Sequence, residues 1–192
     1  MTLADRLRSA VRQPAPAGLL AGDLPEQAST QVEAAVLVAV TDRPDPGLIL
    51  TVRRDDLRTH AGQIAFPGGR IDAGETASQA AVREAWEELG LDPASVEPIG
   101  ELDRYRTITG FLVTPVLAVV PPDLPLVPHD GEVADWFEAP LAFVTNPANH
   151  RLDSALFAGR QRHYYRIDWN GRPIWGATAA MLVNLSRRLD WR

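Results

Sequence analysis

The sequence predicts an α/β (α+β) fold in which helices cover a mixed β-sheet. Three observations support this prediction. Strand-like apolar runs and helical patterns alternate irregularly, no segment repeats, and a composition of 45% hydrophobic and 23% charged residues is globular. A length of 192 residues suits one domain of ordinary size with its own core. We expect an N-terminal helix and arm in residues 1–31 and the main domain in residues 32–192.

The spacing of apolar residues predicts each element in turn. Leucines at helical spacing predict a short amphipathic helix over residues 2–12, and the Pro-, Ala- and Gly-rich residues 13–31 predict an arm. Two further helices are predicted at 76–89, where Gly90 favours a left-handed C-cap, and at 177–189. Strands are predicted at 33–40, 48–53, 64–66, 96–102, 111–120, 136–138 and 163–169.

The charge and the missing residue types exclude several classes of function. With 19 basic and 25 acidic residues the net charge is −6, so we expect no nucleic-acid partner and no membrane partner. An anionic substrate would then need a local cluster of positive charge. The chain has no cysteine, which excludes disulfides, thiolate metal sites and cysteine nucleophiles. It also has no lysine, which excludes P-loop and Schiff-base lysine chemistry.

The cellular location is predicted from the absence of a targeting signal. The first residues mix charges with apolar side chains and lack the apolar core of a signal peptide. The longest apolar stretch, residues 111–120, is half the length of roughly 20 residues that a membrane-spanning helix needs. We therefore expect a soluble, cytoplasmic protein.

Three glutamates of the predicted helix 76–89 are the strongest chemical signal in the sequence. Glu84, Glu87 and Glu88 are spaced i, i+3 and i+4, so their carboxylates share one helix face and repel one another. A hard divalent cation such as Mg²⁺ would relieve this repulsion, and the flexible backbone at Gly69 could add a carbonyl ligand. Arg83 lies within reach of a loop carboxylate such as Glu75.

Two other interpretations compete with a metal site. Most acidic runs are solvated surface helices, but here Arg83 is the only basic residue between positions 71 and 103, so the repulsion has little local relief. An EF-hand-like calcium loop would need alternating Asp and Asn residues, which are absent.

The same segment resembles the Nudix box. Every specified position of that motif is filled, and Ala85 is the smallest apolar residue acceptable at its place; the matching residues are Gly69, Glu75, Arg83, Glu84, Ala85, Glu87, Glu88, Gly90 and Leu91. Residues 50–69 are similar to the motif that precedes the box in the coenzyme A pyrophosphatase subfamily, although Arg54 stands where that motif more often has Ser or Thr. Residues 174–179 are also similar to that subfamily. The resemblance implies an α/β/α sandwich.

The resemblance also implies roles for individual residues. Glu84, Glu87 and Glu88 would hold Mg²⁺ or Mn²⁺ with help from the Gly69 carbonyl, and Glu75 would pair with Arg83 to fix the loop. A further carboxylate outside the box often assists in this family. The candidate is Glu132, for which an exposed loop acid is an equal alternative.

The substrate implied by the resemblance is coenzyme A or a derivative, cut at its pyrophosphate into 3′,5′-ADP and 4′-phosphopantetheine. Arginine and histidine side chains would bind the phosphates, and the candidates are Arg53, Arg58, His60 and Arg70. Phe66 and Trp175 are expected in the core rather than stacked on a ligand.

Two alternative functions stay open. One is a Nudix pyrophosphatase for ADP-ribose, a dinucleoside polyphosphate or a nucleoside triphosphate. The other is a nucleotide-sensing module without catalysis, which the intact carboxylates disfavour. A small-molecule substrate is the expected partner, and a homodimer is one of the oligomeric states that the sequence leaves open.

Overall fold

The computed structural model describes residues 1–23, 32–54, 62–157 and 159–189, and it confirms a mixed α+β fold with a mixed central sheet. The helices are α1 Leu3–Arg12, α2 Ala77–Leu89, α3 Leu141–Val144 and α4 Ala177–Leu189, with 3₁₀ turns at Pro93–Ser95 and Pro147–Asn149. The strands are β1 Val32–Thr41, β2 Gly47–Arg53, β3 Ile64–Ala65, β4 Gly68–Arg70, β5 Glu97–Glu101, β6 Tyr105–Arg106, β7 Phe111–Val120, β8 Val133–Pro140, β9 Arg151–Phe157, β10 Arg160–Trp169 and β11 Arg172–Trp175.

The strands of the described residues form two sheets. The larger one has the order β3-β2-β1-β7-β5, with β4 paired to β1, β6 to β7 and β8 to β2. Its centre is the parallel pair β1–β7, which runs from Val32 opposite Phe111 to Thr41 opposite Val120, and the other pairs are antiparallel. The smaller sheet has the order β11-β10-β9.

Helices cover both faces of the central sheet, which gives the α/β/α sandwich. The alanines of α2 pack with Leu37 and Ile49 on one face. On the other face, α1 and α4 share a core with the smaller sheet, and Leu7 of α1 is fully buried there. The small alanine side chains let the α2 backbone approach the sheet closely, which matters for the site described below.

Four strands and one α-helix were missing from the sequence prediction, and two predicted strands were too short. Strands β4, β6, β9 and β11 and the short helix α3 were not predicted. Strand β8 spans 133–140 rather than 136–138, and β10 spans 160–169 rather than 163–169. β4 begins with two glycines and β11 contains Pro173, both residue types that are depleted in strands.

The two aromatic predictions had different outcomes. Phe66 is 3% exposed and belongs to the core, as expected. The expectation for Trp175 was wrong, because its side chain is 40% exposed at the end of β11 and packs beside the ring of Tyr164. Within the described ranges, no helix combines the length and apolar character needed to cross a membrane.

Candidate active site

The site forms where β4 passes under helix α2. Gly69 of β4 pairs with Ala35 of β1, so the glycine segment is fixed to the central sheet. Thr76 begins α2 with a capping box, in which its hydroxyl accepts from the Gln79 N–H at 3.2 Å. Gly90 ends the helix with φ 65°, a left-handed conformation that glycine adopts without strain.

Glu88 is the most buried acid of the site. Its side chain lies between α2 and β4, the residue is only 7% exposed, and Oε2 accepts a hydrogen bond from the Gly68 N–H at 3.2 Å. Burial raises the pKa of Glu88 to about 8, and the neighbouring charges of Glu84 and Glu132 add to this effect. The Gly68 hydrogen bond and the charge of Arg53 oppose it. A nearby cation therefore stabilises the ionised form of this buried carboxylate more strongly than that of an exposed one.

Glu84 lies one helical turn earlier on the same face. Its side chain is 16% exposed, and burial raises its pKa although the Arg83 guanidinium lowers it. The charges of Glu87 and Glu132 contribute to the increase. Glu87 is the most exposed of the three helix glutamates, with 55% of its side chain accessible. The acidic face of α2 therefore runs from a buried carboxylate to a solvent-exposed one.

Arg83 connects this acidic face to the preceding loop. Its Nε and Nη2 donate to the two carboxylate oxygens of Glu75 at 2.8 and 3.0 Å, and Nη2 also donates to the Arg70 carbonyl at 3.0 Å. Nη1 donates to Glu84 Oε1 at 2.9 Å and to Glu87 Oε2 at 3.0 Å. This network lowers the pKa of Glu75 and raises that of Arg83. One guanidinium thus orders both the loop and the helix face.

The donor set of this face suits a hard divalent cation. Carboxylate oxygens from Glu84, Glu87 and Glu88 and a glycine carbonyl are the ligands that Mg²⁺ and Mn²⁺ prefer. Within the described residues, no three His, Asp or Glu side chains are gathered in a ready metal cluster. Instead, Arg83 Nη1 provides the positive charge between Glu84 and Glu87. A metal shared by these two carboxylates would compete with that guanidinium arm.

Glu132 lies on a loop that is attached to the end of α2. The His129 N–H donates to the Glu88 carbonyl at 2.8 Å, and the Glu132 N–H donates to the His129 carbonyl at 3.1 Å. The Arg54 N–H donates to the Glu132 carbonyl at 3.3 Å, and its side chain donates to the Asp130 carbonyl. The exposed Glu132 is close enough to raise the pKa of Glu84 and Glu88.

The structure describes two of the four predicted phosphate-binding residues, Arg53 and Arg70. Arg53 lies near Glu88, where its charge lowers the pKa of that acid. Arg70 is exposed beside the Arg83 network, and its guanidinium lies 5.8 Å from the centre of the Phe111 ring. Arg58 and His60 lie outside the described residues.

Arg54 and His129 were not predicted as site residues. Both hold the Glu132 loop mainly through backbone groups, and a sequence pattern carries no signal for such contacts.

Replacing Gly69 by Ala is expected to damage the site. A Cβ at this position would come within 2.7 Å of Glu84 Oε2 and closer still to the other carboxylate oxygen, so the acid must move. We expect at least about a tenfold loss of activity, because displacing a ligand or its support typically costs 10–100-fold. Steady-state kinetics would measure the loss. Unchanged activity would mean that Glu84 need not occupy its observed position.

Replacing Arg83 by Met is expected to reduce both activity and thermal stability. The change removes every hydrogen bond from the guanidinium and leaves Glu75, Glu84 and Glu87 without their shared cation. We expect about a 10–100-fold loss of activity. We also expect a lower melting temperature in metal-free buffer, partly restored by Mg²⁺. Arg12→Met, at an exposed position of α1, is the matched control and should change neither.

Comparisons with known proteins agree with this geometry. The family model described as NUDIX domain matches residues 31–159. A protein of Escherichia fergusonii named "Uncharacterized Nudix hydrolase NudL" is 42% identical over 160 residues, which cover 82% of each chain. A protein of the same name from Cronobacter sakazakii is 41% identical over 174 residues, covering 89% of this chain and 90% of the other.

One solved structure adds a match at the level of the fold. The crystal structure of RenU, a Nudix hydrolase from M. smegmatis, aligns with a TM-score of 0.50 and 27% identity, covering 58% of this chain and 71% of that one. With the matched domain and the similar relatives, the chain belongs to the Nudix hydrolase family.

Proposed function

We propose that the protein hydrolyses the pyrophosphate bond of coenzyme A or its thioesters. The products would be 3′,5′-ADP and 4′-phosphopantetheine or its acyl derivative. Membership of the family establishes the more general activity, that of a Nudix hydrolase acting on a pyrophosphate-containing substrate. The proposal therefore concerns the identity of the substrate, the metal and the roles of individual residues.

The observation that carries the hydrolytic part of this proposal is the placement of Glu88. It is a buried carboxylate with a raised pKa, held by the Gly68 N–H and close to two other acids. Burying a charge costs free energy unless a partner compensates for it, so such a residue is kept where it binds a cation or a proton. The coenzyme A part rests on the similarity of residues 50–69 and 174–179 to that subfamily.

Glu84, Glu87, Glu88 and the Gly69 carbonyl would hold Mg²⁺ or Mn²⁺. Nudix hydrolases generally use divalent metal ions. A bound divalent ion neutralises charge on the phosphate oxygens and lowers the pKa of a water molecule that attacks phosphorus.

The other site residues would act directly on the substrate and the water. Glu132 is exposed and close to the acidic face, so its carboxylate would accept the proton of the attacking water. Arg53 and Arg70 would bind phosphate oxygens, which the net charge of −6 would otherwise repel. Glu75 and Arg83 would keep the loop in place without touching the substrate.

Product analysis by mass spectrometry tests the proposed substrate. The protein is incubated with coenzyme A, acetyl-coenzyme A, ADP-ribose, NADH, diadenosine polyphosphates and dGTP, each with Mg²⁺ and with Mn²⁺. We expect phosphopantetheine products from coenzyme A at the highest kcat/KM of the panel. A higher kcat/KM for another compound would contradict the proposed substrate but would still agree with a Nudix hydrolase. No turnover of any compound would contradict both and favour a nucleotide sensor.

Replacing Glu132 by Gln tests its role as the proton acceptor. The amide keeps the shape of the side chain but cannot accept the proton, and we expect kcat to fall by about 10²–10⁴-fold with little change in KM. Asp130→Asn, two residues earlier in the same exposed loop, is the control and should retain activity. Equal kcat for the Glu132 variant and the wild-type protein would assign the proton transfer to another group.

A further inference from the structure

Strand β9 forms an open edge of the smaller sheet. It pairs antiparallel with β10 from Arg151 opposite Arg166 to Phe157 opposite Arg160. Within the described residues, no other strand pairs with β9, which is the last strand in the order β11-β10-β9. An open edge offers unpaired N–H and C=O groups to another strand.

The same strand exposes two leucines on one face. Leu152 is 63% exposed and Leu156 is 78% exposed. Leu152 lies opposite Tyr165, which packs against the core, so this face continues the apolar side of the sheet. Residues four apart in a strand point to the same side, and Leu156 therefore extends the same face.

The two exposed leucines also contribute the backbone N–H and C=O groups that are unpaired along the open edge of β9. The β9–β10 hairpin closes at the pair Phe157 and Arg160 with two residues between them, and the closing pair of such a hairpin is hydrogen-bonded. Hydrogen-bonded and non-hydrogen-bonded pairs then alternate along the ladder. The N–H and C=O groups of Leu152, Ser154 and Leu156 accordingly point away from β10. An added strand would satisfy these groups and cover both leucines together.

We propose that β9 pairs antiparallel with β9 of a second copy of this chain, with the two-fold axis at Ser154. In this register Leu152 lies opposite the partner's Leu156, and Ser154 lies opposite the partner's Ser154. Each exposed leucine thus meets a leucine, a cross-strand pair that stabilises a sheet. An isologous contact of this kind closes after two copies and forms no fibre.

Charge and strand length favour this register over those with the two-fold axis at Asp153 or at Leu152. An axis at Asp153 would set that carboxylate directly against the partner's Asp153, which is destabilising. An axis at Leu152 would place Leu156 beyond the start of the partner strand, because β9 begins at Arg151. With the axis at Ser154, Asp153 faces the partner's Ala155. The charged side chains of β9 lie on the face opposite to the two leucines, because successive side chains of a strand point to opposite faces.

Single cysteines test this register cleanly, because the chain has none of its own. In a hydrogen-bonded antiparallel pair the Cα atoms lie about 5.5 Å apart, within the usual range of a disulfide of about 4.4–6.8 Å. Ser154→Cys is expected to form a disulfide-linked dimer under mild oxidation. Ala155→Cys, exposed on the same strand but opposite the partner's Asp153, should cross-link at least about tenfold more slowly. Equal rates would overturn the proposal.

Sedimentation equilibrium tests the dimer without a cross-link. At roughly 100 µM, where micromolar association is saturated, the wild-type chain should have twice the monomer mass of 21.0 kDa. Leu156→Asp should shift this mass to that of the monomer. At a dilution where the wild type is also monomeric, the two proteins should have the same melting temperature, since the leucine is exposed. A monomeric wild type, or a dimer that Leu156→Asp leaves intact, would overturn the proposal. Either result leaves the hydrolase proposal unaffected, because these residues are not part of its site.

Discussion

The variant Glu88→Gln should lose at least about a hundredfold in kcat/KM. Glu88 is the most buried acid of the α2 face, and its Oε2 already accepts the Gly68 N–H. The amide has nearly the same shape but lacks the charge that would bind a divalent ion. Loss of residues that only support a metal ligand costs 10–100-fold, so loss of the ligand charge itself should cost more.

A matched control separates this effect from a general change of charge. Glu101→Gln alters an exposed glutamate of β5 outside the site and should keep wild-type kinetics. Steady-state rates across a range of Mg²⁺ and Mn²⁺ concentrations measure both variants. If Glu88→Gln retained wild-type activity at all metal concentrations, the buried carboxylate would have no part in catalysis.

The same substitution should stabilise the metal-free protein at alkaline pH. The pKa of Glu88 is raised from an ordinary value of 4.5 to about 8 in the folded state. The unfolded chain therefore releases this proton at lower pH than the folded chain does. The stability contributed by the protonated form is fully present below about pH 4.5 and is lost as the pH rises to about 8. Glutamine does not ionise and avoids this loss.

Chemical denaturation in EDTA measures this second prediction. At about 1.4 kcal/mol for each pKa unit, Glu88→Gln should exceed the wild type in free energy of unfolding by roughly 4 kcal/mol at pH 8, with a much smaller difference near pH 5. Added Mg²⁺ should reverse the order, because an ion that binds the native state stabilises it by mass action. Stability curves that stay parallel from pH 5 to pH 8 would contradict a raised pKa for Glu88.

Helix α2 shows what the sequence could predict. The helical pattern over residues 76–89 and the glycine at position 90 identify the helix within one residue of its observed start. The acidic face and the residues of the Nudix box follow from the same local pattern. The burial of Glu88 does not, because it depends on β4 lying under the helix, and β4 is a glycine-rich strand held by its pairing with β1.

Contacts through backbone groups explain most of what the sequence could not predict. The loop of Glu132 is held by N–H groups of Arg54 and His129, which any residue except proline could supply. The edge strand β9 was missed because its sequence, RLDSALF, contains no β-branched residue and no regular alternation of polar and apolar side chains. Pairing with β10, a non-local interaction, fixes it as a strand.

Direct counting of bound Mn²⁺ tests the central claim, that the acidic face of α2 holds the divalent ion. The electron paramagnetic resonance signal of free Mn²⁺ is followed while wild-type protein, Glu88→Gln or Glu101→Gln is titrated into it without substrate. We expect saturable loss of the free signal with the wild type and with Glu101→Gln, and at least about tenfold weaker binding with Glu88→Gln. Equal binding by all three proteins would place the metal away from Glu88 and contradict a metal site on the acidic face of α2.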